Sequence, residues 1–308
     1  MSDHSHIEWT DATWNPATGC TKVSSGCDHC YAETFAERFR DVPGHHFEHG
    51  FDLTLRPERL AVPTRWRRPR RIFVNSMSDL FHAAVPDDFI AAVFAVMAMT
   101  PRHTYQVLTK RHARMRTLLA HPLFAHRVCQ AGRDLAGCQQ DWLAAGRMFA
   151  GPLPNVWLGV SVETQRWADV RIPALLATPA AVRWVSCEPL LGPVDLTPWL
   201  KHAQLACERC THRGPLDWHS AHLWGNCACP CHPPRPPRPA WVVVGGESGH
   251  HARPMHPDWA RAIRDLCVVA QVPLLFKQWG GRTPKAGGRE LDGHTWDDYP
   301  NSTTGALA

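Results

Sequence analysis

The stretch GCTKVSSGCDHCYA, residues 19–32, places Cys20, Cys27 and Cys30 within eleven positions of one another. Thiolates are soft ligands, and three of them suit an iron–sulfur cluster whose fourth iron has no protein ligand and can bind a small molecule directly. A closed structural zinc site wants four donors, and His29 or a distant residue is available as the fourth. The local spacing leaves both metals open. The following segment, YAETFAERFR, has the composition of a helix, so the thiols are expected in a loop that enters one.

A second thiol group lies far along the chain. Cys207 and Cys210 form a CxxC; after sixteen intervening residues come Cys227, Cys229 and Cys231, with His212, His219, His222 and His232 nearby. Paired thiols at this separation read as a zinc-ribbon-like site, with a second iron–sulfur cluster as the competing reading. Cys231 or His232 competes with Cys229 for the fourth position. So small a knuckle has too few apolar residues to fold without its metal, and the following PPRPPRP is read as a stiff spacer returning the chain to the main body.

The elements that must position these groups are legible as an alternation. Short apolar runs recur at RIFVNSMSD (71–79), TYQVLTKR (104–111), NVWLGVSVE (155–163), VRWVSCEPL (182–190), WVVVGGESG (241–249) and PLLFKQWG (273–280). Between most of them lie segments with apolar residues every three or four positions: DDFIAAVFAVMAM, HARMRTLLAHPLF, RWADVRIPALLAT and HPDWARAIRDLCVVA. Apolar strands separated by crossover helices imply a parallel sheet covered on both faces. Six such units predict an α/β fold, a full or partial parallel (βα) barrel with a small metal-binding insert.

Polar residues gather where each strand run ends: Asn75, Ser78 and Asp79; Thr109 and Lys110; Ser161 and Glu163; Ser186 and Glu188; Glu247 and Ser248; Lys277 and Gln278. In a parallel barrel those ends converge on one mouth, which is where such folds carry their chemistry. Cys187 and Cys267 read as buried small hydrophobes.

Composition sets outer bounds. The 308 residues are 44% hydrophobic, with a net charge of +5. The N-terminal MSDHSHIEW lacks a cationic stretch followed by an apolar run, and no apolar segment approaches the ~20 residues of a membrane span. A cytoplasmic chain without membrane contact is expected. The cationic run RWRRPRR, Arg65–Arg71, interleaves Trp66 with five arginines and reads as a phosphate-contacting strip.

Several of these segments also occur together in a known family. IEWTDATWNPATGCTKVSSGCDHCYAETFAERF, FVNSMSDLFH, QVLTKR, WLGVSVE, SCEPLLGPVDL, VVVGGESG, ARPMHPDW and FKQWG resemble a family of phage-associated and bacterial three-cysteine proteins, a domain of unknown function regarded as radical S-adenosylmethionine-like. The resemblance implies a barrel of radical SAM type, with Cys20, Cys27 and Cys30 on a [4Fe-4S] cluster whose open iron takes S-adenosylmethionine. It implies cofactor-binding groups at the strand ends. Asn75, Ser78 and Asp79 would meet the methionine amine and Ser161 and Glu163 the ribose. Gly245, Gly246 and Glu247 would meet the adenine or its ribose, Lys277 and Gln278 a substrate or carboxylate, and Glu188 belongs to the same ring. An external electron donor and a nucleic-acid or nucleoside substrate follow, with base modification or repair as the expected activity. The alternative is a zinc-stabilised nucleic-acid-binding protein with no radical chemistry.

The expected organisation is a cluster loop and first part of the barrel over 1–200, the insert over 201–239, the end of the barrel over 240–280 and a polar tail over 281–308, read as loops with a frayed end.

Overall fold

The computed structural model describes residue 5 and residues 7–136, 151–200 and 237–300. Its centre is a seven-stranded sheet, parallel throughout, in which every strand pairs with its sequence neighbour: β1 (Ala12–Trp14), β2 (Arg71–Val74), β3 (Thr104–Thr109), β4 (Val156–Ser161), β5 (Val182–Cys187), β6 (Trp241–Gly245) and β7 (Leu274–Gln278). β1 and β7 do not pair with each other. Among the described residues the sheet is therefore a half-barrel, the partial form of the expected architecture. Of the seven strands only β1 was unforeseen, since three residues are too few to establish a periodicity.

The helices follow from local chemistry. α1 (Tyr31–Ala36) begins directly after Cys30, which occupies its N-cap position. α2 (Asp87–Met99) has Pro86 at its N-cap and Asp87 and Asp88 in its first turn, where acidic groups complement the helix dipole. The run expected as a helix over residues 112–124 is helical as α3 (His112–Leu119), which stops short of Pro122; α4 (Phe124–Ala136), which shares only Phe124 with the expected run, begins after it. Proline lacks the amide that a continuous helix would need there. α5 (Gln165–Leu176), α6 (Thr197–Leu200) and α7 (Pro257–Ala270) are the further α-helices among the described residues, and α7 closes on Gln271 in the left-handed conformation. Among the described residues no helix is long and apolar enough to cross a membrane.

Strand alternation sends side chains to two faces. Ile72, Val74, Tyr105, Val107, Leu158, Val160, Val185, Val242, Val244 and Phe276 join the helices in the main core, together with fully buried Cys187 and Cys267. On the concave face a second cluster forms from Trp9, Phe73, Trp157, Trp184, Trp241, Val243 and Leu275. Its four indoles lie 5.2–6.1 Å apart between centroids in edge or tilted contact. Trp184 lies where a Cβ on Gly159 would come within 2.4 Å of its ring, so only glycine admits it. These aromatics arise early in their strands and fill the half-barrel at its N-terminal end. Toward the C-terminal end the same face carries Ser161, Ser186, Gly245 and Lys277.

The tail is more structured than its composition suggests. Residues 290–295 form a short hairpin, Leu291 is fully buried, and the Trp296 carbonyl accepts from Phe276 N at 2.9 Å. Asp297 bridges Leu275 on the outer edge of β7, and the Tyr299 ring lies 5.4 Å from that of Trp241. Three apolar residues, Leu291, Trp296 and Tyr299, too sparse to register as a pattern, help fix a segment read from sequence as loops.

Candidate functional site at the mouth of the half-barrel

The three-thiol loop lies across the C-terminal ends of the strands, as the sequence led one to expect. It is fastened at several points. Ser24 Oγ donates to Glu163 Oε1, just past β4, at 2.6 Å. His29 Nδ1 lies 2.9 Å from Glu247 Oε2, just past β6, and Tyr31 OH donates to the Ser76 carbonyl, just past β2, at 2.6 Å. Arg253 adds bonds to the Ser25 carbonyl and the Asp28 carboxylate at 2.7 and 3.2 Å. The approach is close: a Cβ on Gly26 would lie 2.4 Å from the Glu163 side chain.

Two cations face the thiols. Arg111 Nη2 is 3.9 Å from Cys20 Sγ, and the charge of Lys110 acts on Cys30. Burial, reinforced by the Asp79 charge, nonetheless pushes the Cys20 thiol up to about 11, and burial raises Cys30 as well. Without a metal both are therefore protonated at neutral pH. All three thiols are partly accessible, while Cys187 and Cys267 are sealed in the main core and Cys129 belongs to α4. In chemistry, though not in arrangement, the donor set matches a centre held by three thiolates. Among the described residues no three His, Cys, Asp or Glu side chains converge as a ready-made metal site, so the thiols share a loop without being drawn together. Cys207, Cys210, Cys227, Cys229 and Cys231 lie outside the described residues.

The strand-end residues divide into committed and available groups. Asp79 is buried and accepts from Thr109 Oγ1, Lys110 N and Phe81 N at 2.7–3.0 Å, so it ties the end of β2 to that of β3. Ser78 Oγ donates to the Ala17 carbonyl and accepts from Asn75 Nδ2. Glu163, fully buried, accepts from Ser24 and from Arg171 Nη1 at 2.7 Å; Arg171 is itself fully buried on α5, donates to the Ser161 carbonyl and lies 4.1 Å above the Trp167 ring. Gly246 accepts from Gln278 Nε2, which also reaches Ser248 Oγ. Burial alone would raise the Glu247 carboxyl, but hydrogen bonds from Arg253 and His29, with the Arg253 charge, hold it down at about 2.

What remains open to a ligand is smaller. Lys277 Nζ pairs with Glu188 Oε1 at 2.8 Å, the two being 20% and 14% exposed, and Glu188 lies where a Cβ on Gly245 would obstruct it. Lys110 Nζ is 3.7 Å from Glu163. Asn75 Oδ1 and Ser186 Oγ are buried without a partner among the described residues. Buried orphan acceptors and donors of this kind are costly unless water or a ligand answers them.

Sequence reasoning passed over Ser24, His29 in its present role, Arg111, Arg171 and Arg253. Arg171 was findable: with Ala168, Ile172 and Leu175 it occupies the apolar face of α5, where an arginine requires a buried anion. The cationic run Arg65–Arg71 is misplaced for this site. It leads into β2, whose first residue is Arg71, at the N-terminal end of the sheet and opposite the mouth, with Trp66 buried, Arg70 over the Trp66 ring at 4.9 Å and Arg71 paired with Asp11 at 3.0 Å.

Fold and site together define an α/β half-barrel protein with a thiol-bearing loop fastened over its strand ends. The chain belongs to the family described as protein of unknown function (DUF5131), whose model matches residues 4–300. No curated protein and no solved structure matches it.

Proposed function

We propose that this chain is a radical S-adenosylmethionine enzyme of the cytoplasm that modifies or repairs a nucleic-acid base or nucleoside. The observation that carries the reading is the attachment of the loop bearing Cys20, Cys27 and Cys30 to groups just past three strands of a parallel half-barrel. A structural thiol site has no need of that position. Cys20, Cys27 and Cys30 would hold a [4Fe-4S] cluster, with Arg111 and Lys110 offsetting the charge of their thiolates. When bound, such a cluster supplies one electron from an external donor to cleave the sulfonium, generating a carbon radical that removes hydrogen from the substrate.

The chain's own residues bind and seal. The Lys277–Glu188 pair offers one cation and one anion to a zwitterionic ligand, and the unpartnered Asn75 Oδ1 and Ser186 Oγ offer an acceptor and a hydroxyl. The Ser24–Glu163 and His29–Glu247 contacts hold the loop down and keep water from the mouth.

Anaerobic reconstitution tests the reading. The expected product is a brown protein with about four irons per three-cysteine site that forms 5′-deoxyadenosine from S-adenosylmethionine under strong reductant. A colourless zinc protein that binds nucleic acid and forms none of that product would establish the alternative instead.

A further inference from the structure

The rim of the mouth is electrostatically lopsided. The loops that follow β6 and β7, residues 246–256 and 279–289, carry four Lys or Arg (Arg253, Arg282, Lys285, Arg289) against one acid, Glu247, and three histidines besides. Across the mouth, residues 20–60 carry five Lys or Arg against seven Asp or Glu. The two cationic loops are zipped into one lip: Gly249 N donates to the Gly281 carbonyl and Gly281 N to the Glu247 carbonyl, both at 2.9 Å, and Gln278 Nε2 reaches Ser248 Oγ at 2.5 Å.

Within the lip the charges have different duties. Arg253 is held by Glu247 and Asp28, and Arg289 by Asp297. Arg282 and Lys285 are exposed and form no ion pair among the described residues. Beside them His250 and His251 are exposed, their rings 4.4 Å apart, and His251 lies 6.1 Å from His29 of the thiol loop. Exposed unpaired cations next to exposed flat rings, at the edge of a site, are the elements with which proteins track a single strand: cations on phosphates, rings against bases.

We infer that this lip binds the sugar–phosphate backbone of a single-stranded nucleic acid, with Arg282 and Lys285 on phosphates and His250 and His251 against bases. The inference rests on the reading above in taking the mouth as the destination of the strand. It moves the phosphate contact from Arg65–Arg71, at the far end of the sheet, to the rim where the thiols lie.

Fluorescence anisotropy of the full chain with labelled single-stranded DNA and RNA of about twelve nucleotides tests it. The expected result is binding that an Arg282→Ala/Lys285→Ala variant weakens roughly five- to tenfold, with the slope of log affinity against log salt smaller by about 1.4. His250→Ala/His251→Ala should weaken binding with the slope unchanged, and Arg67→Ala/Arg68→Ala should leave it unaltered. Absence of binding to either oligonucleotide, parental affinity in the Arg282/Lys285 variant, or loss confined to the Arg67/Arg68 variant would each overturn the inference. These outcomes need neither cluster nor S-adenosylmethionine, so they are distinguishable from failure of the radical reading, which is scored by 5′-deoxyadenosine.

Discussion

The two ends of the concave face are built from the same strands and differ in what those strands present. At the N-terminal end, Trp157, Trp184 and Trp241 interlock with Trp9 and Phe73, 8% exposed or less and in mutual ring contact. A few residues further along the same strands stand Ser161, Ser186, Gly245 and Lys277, with the Glu163, Glu188 and Glu247 carboxylates just beyond. One end is an aromatic plug and the other a charged ring, each carboxylate of which has a cation within 4 Å. Stability and chemistry are thus segregated along the strand axis, and substitutions at the two ends should report on different properties.

The largest contrast is expected from Cys27→Ala. It should abolish 5′-deoxyadenosine formation and lower bound iron while leaving the thermal midpoint of the metal-free protein within a few degrees; product formation at the parental rate would remove Cys27 from the ligand set. Trp184→Ala should do the reverse, costing about 3–5 kcal/mol in urea unfolding through the cavity left in the plug. Arg171→Ala joins the two behaviours. By leaving Glu163 buried without its main cation, it should cost about 3 kcal/mol and loosen the loop that Ser24 fastens to Glu163, seen as faster alkylation of the three thiols.

A smaller effect is expected from pH. The Glu247 carboxyl titrates at about 2 in the folded protein against an ordinary value of 4.5. Its contribution is therefore fully present above 4.5 and is lost as pH falls toward 2. Glu247→Gln should flatten the fall in stability across that window, and an unchanged slope would show that Arg253 and His29 do not hold the carboxylate as described. The smallest effect belongs to Val269→Ser on α7, where the valine is 70% exposed: the change should stay within about 0.5 kcal/mol.

Much of this was legible beforehand, for identifiable reasons. Six strands announced themselves because a strand covered on both faces is apolar at every position, and the helices because their apolar spacing is three to four. The strand-end polar residues and the location of the thiol loop followed from chain direction in a parallel sheet. Their pairing did not. Glu163 with Arg171, Glu247 with Arg253 and His29, and Glu188 with Lys277 depend on which loops fold back over which strands, and sequence distance conceals that. The arginine run that leads into β2 was legible as charge but not as position, since clustering does not give the end of the sheet on which it falls.

The bridge between Asp297 and Leu275 has a further consequence. An unclosed barrel leaves two strand margins able to recruit foreign chains. β1 limits its own margin by being three residues long. β7 is longer and opens with three apolar residues, and Trp296 and Asp297 occupy its outer margin in the manner of a selvedge. A chain cut after residue 289 would keep all seven strands and every thiol, yet lose that binding edge, and should precipitate on refolding where the full chain remains monodisperse.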